Sequence, residues 1–224
     1  VAEDFQILKD IAPDRALKVA IPGPLTFAMP LEASMRARDI ILDEIVDMVR
    51  SEVHTLAEAG ADYIQLDEPA LPHPPLELGH AEATALVNRA FEGFTGRRAV
   101  HICFGNNAGR PFADRRFDRL MCAMQALACD QLVLEFANRQ MADVELLKPL
   151  SEQFDIAAGV VDVKNFHLET AEEVASRIRR CLDFMPARKL TITGDCGFSA
   201  LPRFLAKQKM LAMVAGANLV RDAL

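Results

Sequence analysis

The 224-residue sequence predicts an α/β protein of the (β/α)8 TIM-barrel class. Short runs rich in Val, Ile and Leu alternate with stretches of helical periodicity, the pattern of strand–helix repeats. The apolar runs lack the period-two alternation of a half-exposed strand, which suits a parallel sheet buried on both faces. No phosphate-binding glycine fingerprint follows the first run, which argues against an open dinucleotide-binding sheet.

Six strands are expected, at Lys18–Pro22, Tyr63–Leu66, Ala99–Phe104, Gln131–Phe136, Ile156–Val163 and Leu190–Thr193. A helix at Glu3–Ile11 leads the chain, and Met35–Ala59 is long and amphipathic, with Ile40, Ile41, Ile45, Val49, Val53 and Leu56 on its apolar positions. That helix stops at Gly60, a residue suited to the left-handed C′ position. Further helices are expected at Ala81–Glu92, Asp114–Leu127, Met141–Gln153, Thr170–Phe184 and Leu201–Ala215. Thr170 and Glu173 have the spacing of a capping box. The Pro-rich stretch Leu71–Leu76 reads as a loop, so residues 1–224 are expected to form one barrel domain. An eight-stranded barrel needs two more strands, which would have to precede residue 1, and the chain lacks a starting Met.

The net charge of -7 and a pI near 5.3 speak against a basic groove for nucleic acid. No apolar run approaches the roughly 20 residues that cross a bilayer, and Val1–Phe5 has neither the basic nor the apolar region of a signal peptide. Five cysteines at uneven spacing point to free thiols in a reducing, cytoplasmic setting.

The polar residues of interest cluster at the C-terminal ends of the strands, where barrels carry their active sites. Asp67 and Glu68 follow the second strand, and His101 and Cys103 end the third. Glu135 ends the fourth, Asp162 and Lys164 the fifth, and Asp195 and Cys196 follow the sixth. Residues two apart on a strand face the same side, so His101 and Cys103 can grip one metal. Further ligands are available in Glu135, 32 residues after Cys103 (135 − 103), and in Cys196, 61 residues further on (196 − 135). Thiolates with imidazole and carboxylate suit zinc and discriminate against magnesium, calcium and manganese. A lone strand-end cysteine packs as a small buried hydrophobe, and a strand-end carboxylate commonly caps a helix; the conjunction of positions raises the metal reading above both. Cys122, Cys129 and Cys181 fall in helical patterns and read as core, as do Met210 and Met213. His54, His73, His80 and His167 read as surface or loop.

These residues resemble the cobalamin-independent methionine synthase family, in its short single-barrel form. The resemblance rests on Asp67-Glu68-Pro69-Ala70, His101-Ile102-Cys103, Leu134-Glu135, Asp195-Cys196-Gly197 and the loop Ile21-Pro22-Gly23-Pro24-Leu25-Thr26, which match in order from about residue 20 onward. It implies a zinc-binding barrel that activates a substrate thiol, with His101, Cys103, Glu135 and Cys196 as ligands. It further implies that Asp67 binds the amino group of homocysteine and that Glu68, Asp162 and Asp195 line or support the pocket. Two features depart from the family. Its two-barrel members carry a proton-donating histidine where Lys164 stands here, which leaves methylcorrinoid, with or without a corrinoid protein, and methylated folate both open as donor. The Gly-Ser-x-Pro loop of the family's first strand is absent from these residues.

Three other readings remain on the sequence alone. The same kind of barrel alkylates coenzyme M, whose sulfonate would need Arg110, Arg139 or Lys164 in place of Asp67. A structural zinc site would be closed by four Cys or His ligands from short loops, which is not the pattern here. A metal-free, decarboxylase-like barrel would hold no zinc.

Overall fold

The computed structural model describes residues 1–31, 38–106 and 110–224. The chain packs as two compact units, one of residues 1–102 with 122–130 and one of residues 103–121 with 131–224. Among the described residues six parallel strands alternate with helices, the arrangement expected of a (β/α)8-type fold.

The first unit holds α1 (Ala2–Ile11), β1 (Val19–Pro22), α2 (Pro24–Ala28), α3 (Arg38–Glu58), β2 (Tyr63–Asp67), α4 (His80–Ala90) and β3 (Arg97–Ile102). The expected start of α3 at Met35 lies outside the described residues. α3 buries Ile41, Leu42, Ile45, Val46, Val49, Val53 and Leu56 at three- and four-residue spacing. It ends in a Schellman motif: Gly60 adopts φ +91°, its amide donates to Ala57, and the Ala61 amide donates to Leu56. The three strands pair in register, so Ala20, Gln65 and Ala99 form one row and Pro22, Asp67 and His101 the next row on the same face, two residues on. Register therefore sets Asp67 beside His101 on one face of the sheet.

The second unit holds β4 (Gln131–Glu135), α6 (Leu147–Gln153), β5 (Asp155–Val161), α7 (Ala171–Leu182), β6 (Leu190–Gly194) and α8 (Arg203–Arg221); the short helix α5 (Met121–Gln125) joins the two units in sequence. Strand order follows chain order. α7 carries the expected capping box, with the Glu173 amide donating to Thr170 Oγ1 and the Thr170 amide to Glu173 Oε2. Among the described residues no helix is long and apolar enough to cross a membrane.

Several local expectations are corrected. β1 exposes alternate residues, Ala20 and Pro22, and β6 is half exposed along most of its length. Among the described residues β1 pairs with β2 alone and β6 with β5 alone, so neither is covered as an interior strand would be. Helix α2 was not foreseen. The 114–127 stretch forms only a 3-10 turn at Phe117–Leu120 followed by α5, and Cys122 on α5 is exposed. Cys129 is half-buried; Cys181 is buried as expected. Met210 is exposed and Met213 half-buried, because α8 turns Leu205, Ala206, Lys209, Gly216 and Val220 inward instead.

Lys209 on that inward stripe is fully buried. Its ammonium donates to Glu169 Oε2 at 2.8 Å, to the Asp162 carbonyl at 2.7 Å and to the His167 carbonyl. Glu169 Oε1 accepts from the Asp162 amide at 2.8 Å and from Arg177 at 3.3 Å. This network clamps the loop after β5, which carries Asp162 and Lys164. Burial pushes the Glu169 carboxyl up, but the Lys209 ammonium and the Asp162 amide outweigh it and hold the group below the ordinary range.

Removing one partner of such a buried pair leaves an uncompensated charge. Lys209→Met is expected to lower unfolding stability by about 3–5 kcal/mol in urea titrations. A depressed carboxyl adds stability above its unfolded value, about pH 4.3, and loses it as pH falls through the folded value. The difference between native chain and variant should therefore narrow below about pH 4. A constant difference down to acid pH would contradict this account of the network.

Candidate metal centre

Three of the sequence-selected residues come together. His101 on β3, Cys103 one residue past its end and Cys196 after β6 offer ligand atoms that all lie within 4.8 Å of one another. His101 and Cys103 are buried and Cys196 is partly exposed. The two sulfurs are 4.0 Å apart, too far for a disulfide. Zinc–sulfur bonds of about 2.3 Å in a tetrahedral site would set two sulfurs about 3.8 Å apart. The donor set therefore fits zinc in both chemistry and spacing. A hydrogen bond shared with Cys196, and then burial, push the Cys103 thiol up, so without metal it stays protonated.

Glu135 lies at the end of β4, in register with Gly159 of β5, and is fully buried. It is not among the three clustered donors. Its Oε2 instead accepts from Lys164 Nζ at 2.5 Å, with the two side chains 0% and 3% exposed. Its Oε1 is buried with no hydrogen-bond partner among the described residues. Lys164 is thus brought to Glu135 rather than left projecting into solvent, and its amide is anchored on Asp162 Oδ1 at 2.8 Å. Asp162 also accepts from the Asn165 side chain and remains half-buried.

Asp195 is fully buried, and its carboxylate accepts from the amides of Phe136, Ala137 and Asn138 at 2.9, 2.9 and 2.6 Å. It caps the turn that follows β4 and so fixes the chain next to Glu135. Burial, helped by the nearby Glu135 charge, pushes its carboxyl up to about 8, against the pull of the three amides. Glu68 plays the matching part in the first unit. It accepts from the amides of Leu25 and Thr26 at 3.0 Å each, capping α2, and the Thr26 hydroxyl lies 2.9 Å away. Burial pushes this carboxyl up to about 8, opposed chiefly by the Leu25 amide. Asp67, by contrast, is half-buried and accepts from Gln65 at 2.6 Å.

Of the cations considered for a sulfonate, Arg110 is exposed. Arg139 is buried over the rings of Phe104 and Phe117 at 5.0 and 4.7 Å, and donates to the Arg115 carbonyl and to Asp143.

Sequence reasoning named Gly23 only as part of a matching loop, and it missed Gly159 and Lys209, which also hold this arrangement. A Cβ on Gly159 would sit 2.4 Å from Asp195 Oδ1 and 2.7 Å from its Cα. A Cβ on Gly23 would sit 2.2 Å from Glu68 Oε1. A glycine inside a strand pattern signals such close approach. Lys209 could have been suspected as a lone charge on the apolar stripe of α8.

The sequence model of the cobalamin-independent synthase catalytic domain matches residues 4–219. Proteins named methionine synthase from Pyrococcus abyssi and Saccharolobus solfataricus are 32% and 33% identical to this chain over its whole length. The chain spans 63% and 64% of their lengths, under two thirds in each case. A solved B12-independent methionine synthase from Shewanella sp. W3-18-1, in complex with selenomethionine, superposes with a TM-score of 0.84 at 29% identity, over 99% of this chain and 67% of that one. A methyltransferase from Methanosarcina mazei shares the fold, with a TM-score of 0.70 at 16% identity over 97% of this chain and 63% of that one.

Gly159→Ala should force Asp195 from its amides and lower stability by about 1–3 kcal/mol, read as a drop in melting temperature. Gly197→Ala, where a Cβ meets no heavy atom within 4 Å, should stay within about 0.5 kcal/mol of the native chain. Equal melting of the two variants would contradict the close approach at Asp195.

Proposed function

This chain belongs to the cobalamin-independent synthase catalytic-domain family, and from that premise we propose that it carries the centre for methyl transfer to the thiol of homocysteine, forming methionine. The observation that carries the reading is the cluster of His101, Cys103 and Cys196 at the strand ends. These residues would hold zinc, with Glu135 close enough in the fold to serve as a fourth, weaker partner. Bound zinc supplies a means of keeping an alkyl thiol deprotonated and nucleophilic at neutral pH, where a free thiol with a pKa near ~8.5 is mostly protonated.

The chain's own residues would do the rest. Asp67 shares a sheet row with His101 and is half-exposed, so its carboxylate can accept the homocysteine ammonium and orient the molecule. Glu68 and Asp195 act as positioning residues, since backbone amides already occupy their oxygens. Asp162 supports the Lys164 loop. The donor is a methylcorrinoid, directly or through a corrinoid protein, or a methylated folate. Commitment of Lys164 to Glu135 favours the corrinoid, because a folate donor would call on a proton donor at that position.

Alkyl transfer to coenzyme M is the second reading, and two observations weigh against it. Arg139 and Lys164 both spend their charge on partners inside the chain, whereas Asp67 stands ready for an amine.

Cys196→Ser is expected to lose zinc and methyl transfer together, measured by metal analysis and by methionine formation from methylcobalamin. Full activity without zinc would sink the zinc–thiol reading. Asp67→Ala should raise the homocysteine KM about 10- to 100-fold, the cost of one charge-assisted hydrogen bond, with a smaller change in kcat. An unchanged KM would point to another acceptor, and competition between homocysteine and coenzyme M would then identify it.

A further inference from the structure

Asp67 is held in place from three directions. Its carbonyl accepts from the Gly23 amide and from the Thr26 hydroxyl, each at 2.9 Å. On the other side the Glu68 amide donates to the His101 carbonyl at 2.8 Å. The side chain has an anchor of its own, since Gln65 Nε2 donates to Asp67 Oδ1 at 2.6 Å. Residues 65 and 67 lie two apart on β2, so both side chains stand on the same face of the sheet. Gln65 shares its row with Ala20 and Ala99, whose side chains end at Cβ and leave the amide room to lean along the strand toward Asp67.

The contact comes at the expense of the amide's other end. Gln65 is 8% exposed, and its Oε1 is buried with no hydrogen-bond partner among the described residues. An ionised carboxylate only accepts, so the amide has to turn its NH2 toward Asp67 and its oxygen away. A buried polar atom without a partner lowers stability, and an apolar group of the same size avoids that loss. Packing alone would be served better by Leu, so the amide's contribution lies in what it does to Asp67. That contribution is orientation. With Oδ1 taken by Gln65, one rotamer of the half-buried carboxylate is selected, and Oδ2 is the oxygen presented to a ligand. A primary ammonium then meets a fixed acceptor rather than a rotating one, which removes part of the entropic cost of binding.

We propose that Gln65 is a positioning residue for amine recognition, which locks the Asp67 carboxylate through Oδ1 so that Oδ2 receives the substrate's ammonium group. The inference rests on the reading of Asp67 given above and adds the group that fixes its carboxylate. Gln65 touches no substrate atom and acts only through Asp67. It trades stability of the folded chain for preference for an amino-bearing thiol over one without the amine.

The test compares homocysteine with 4-sulfanylbutanoate, the same thiol acid without its amine, on the full chain loaded with zinc(II). Gln65→Leu should raise the homocysteine KM about 3- to 10-fold, the loss of one orienting hydrogen bond, and change kcat by less than about twofold. Inhibition by 4-sulfanylbutanoate should stay within about twofold of native, because that ligand brings no ammonium to Asp67. Melting temperature should be equal to or above that of the native chain, since water can replace the amide at the half-exposed carboxylate and the orphaned oxygen is gone. Gln65→Glu keeps the shape but loses the donor, and should raise the homocysteine KM at least as much as Gln65→Leu. In an Asp67→Ala background Gln65→Leu should add nothing to the KM, the signature of two residues acting as one unit. An unchanged homocysteine KM in Gln65→Leu, an equal loss for both thiols, additive effects with Asp67→Ala, or clear thermal destabilisation overturns the inference while leaving Asp67 as the amine's partner. A chain that does not methylate homocysteine, or an Asp67→Ala variant with native KM, overturns the functional reading and the inference with it.

Discussion

Charge buried at the strand ends has to be neutralised within the chain, and most of the site's architecture follows from how this is done. Parallel strands in register bring their C-terminal ends side by side within each unit, and every buried carboxylate there needs a partner. Each finds a different counterpart. Glu68 takes the amides that open α2, and Asp195 takes three amides of the turn after β4. Glu135 takes an ammonium, and Glu169 takes Lys209 and Arg177. The thiols of Cys103 and Cys196 and the imidazole of His101 lie within 4.8 Å of one another at the strand ends, a set suited to a cation.

The consequence for function is a division of labour. Fully engaged carboxylates hold the backbone, while Asp67 keeps enough exposure to meet a substrate. Backbone placement in turn depends on small residues. Gly23 and Gly159 make room for Glu68 and Asp195, so that two positions without side chains determine where two carboxylates lie. Lys209 reaches the site indirectly, by fixing the loop that presents Lys164.

Much of this was legible in the chain itself. The spacing of His101 and Cys103 on a strand, and the recurrence of polar residues just after apolar runs, led to the residues that now cluster. Gly60 and the Thr170–Glu173 pair ended and began helices as their local chemistry dictates. What could not be read was pairing at long range. Nothing in the order of residues says that Lys164 meets Glu135, or that Lys209 meets Glu169, because tertiary packing alone decides which charges share a buried space. The expected double-sided burial of every strand failed at β1 and β6, where cover depends on neighbours rather than on composition. Cys122 and Met210 failed for a related reason: helical periodicity marks a face but not which face turns inward.

The central claim is that the three clustered donors hold a zinc ion with a position reserved for the substrate thiol. Zinc K-edge X-ray absorption, recorded before and after adding homocysteine, tests it most directly. The account predicts two sulfurs around zinc in the resting chain and a third once homocysteine is present. A sulfur shell that does not change on adding homocysteine would contradict it, and would make the centre either structural or specific for another thiol.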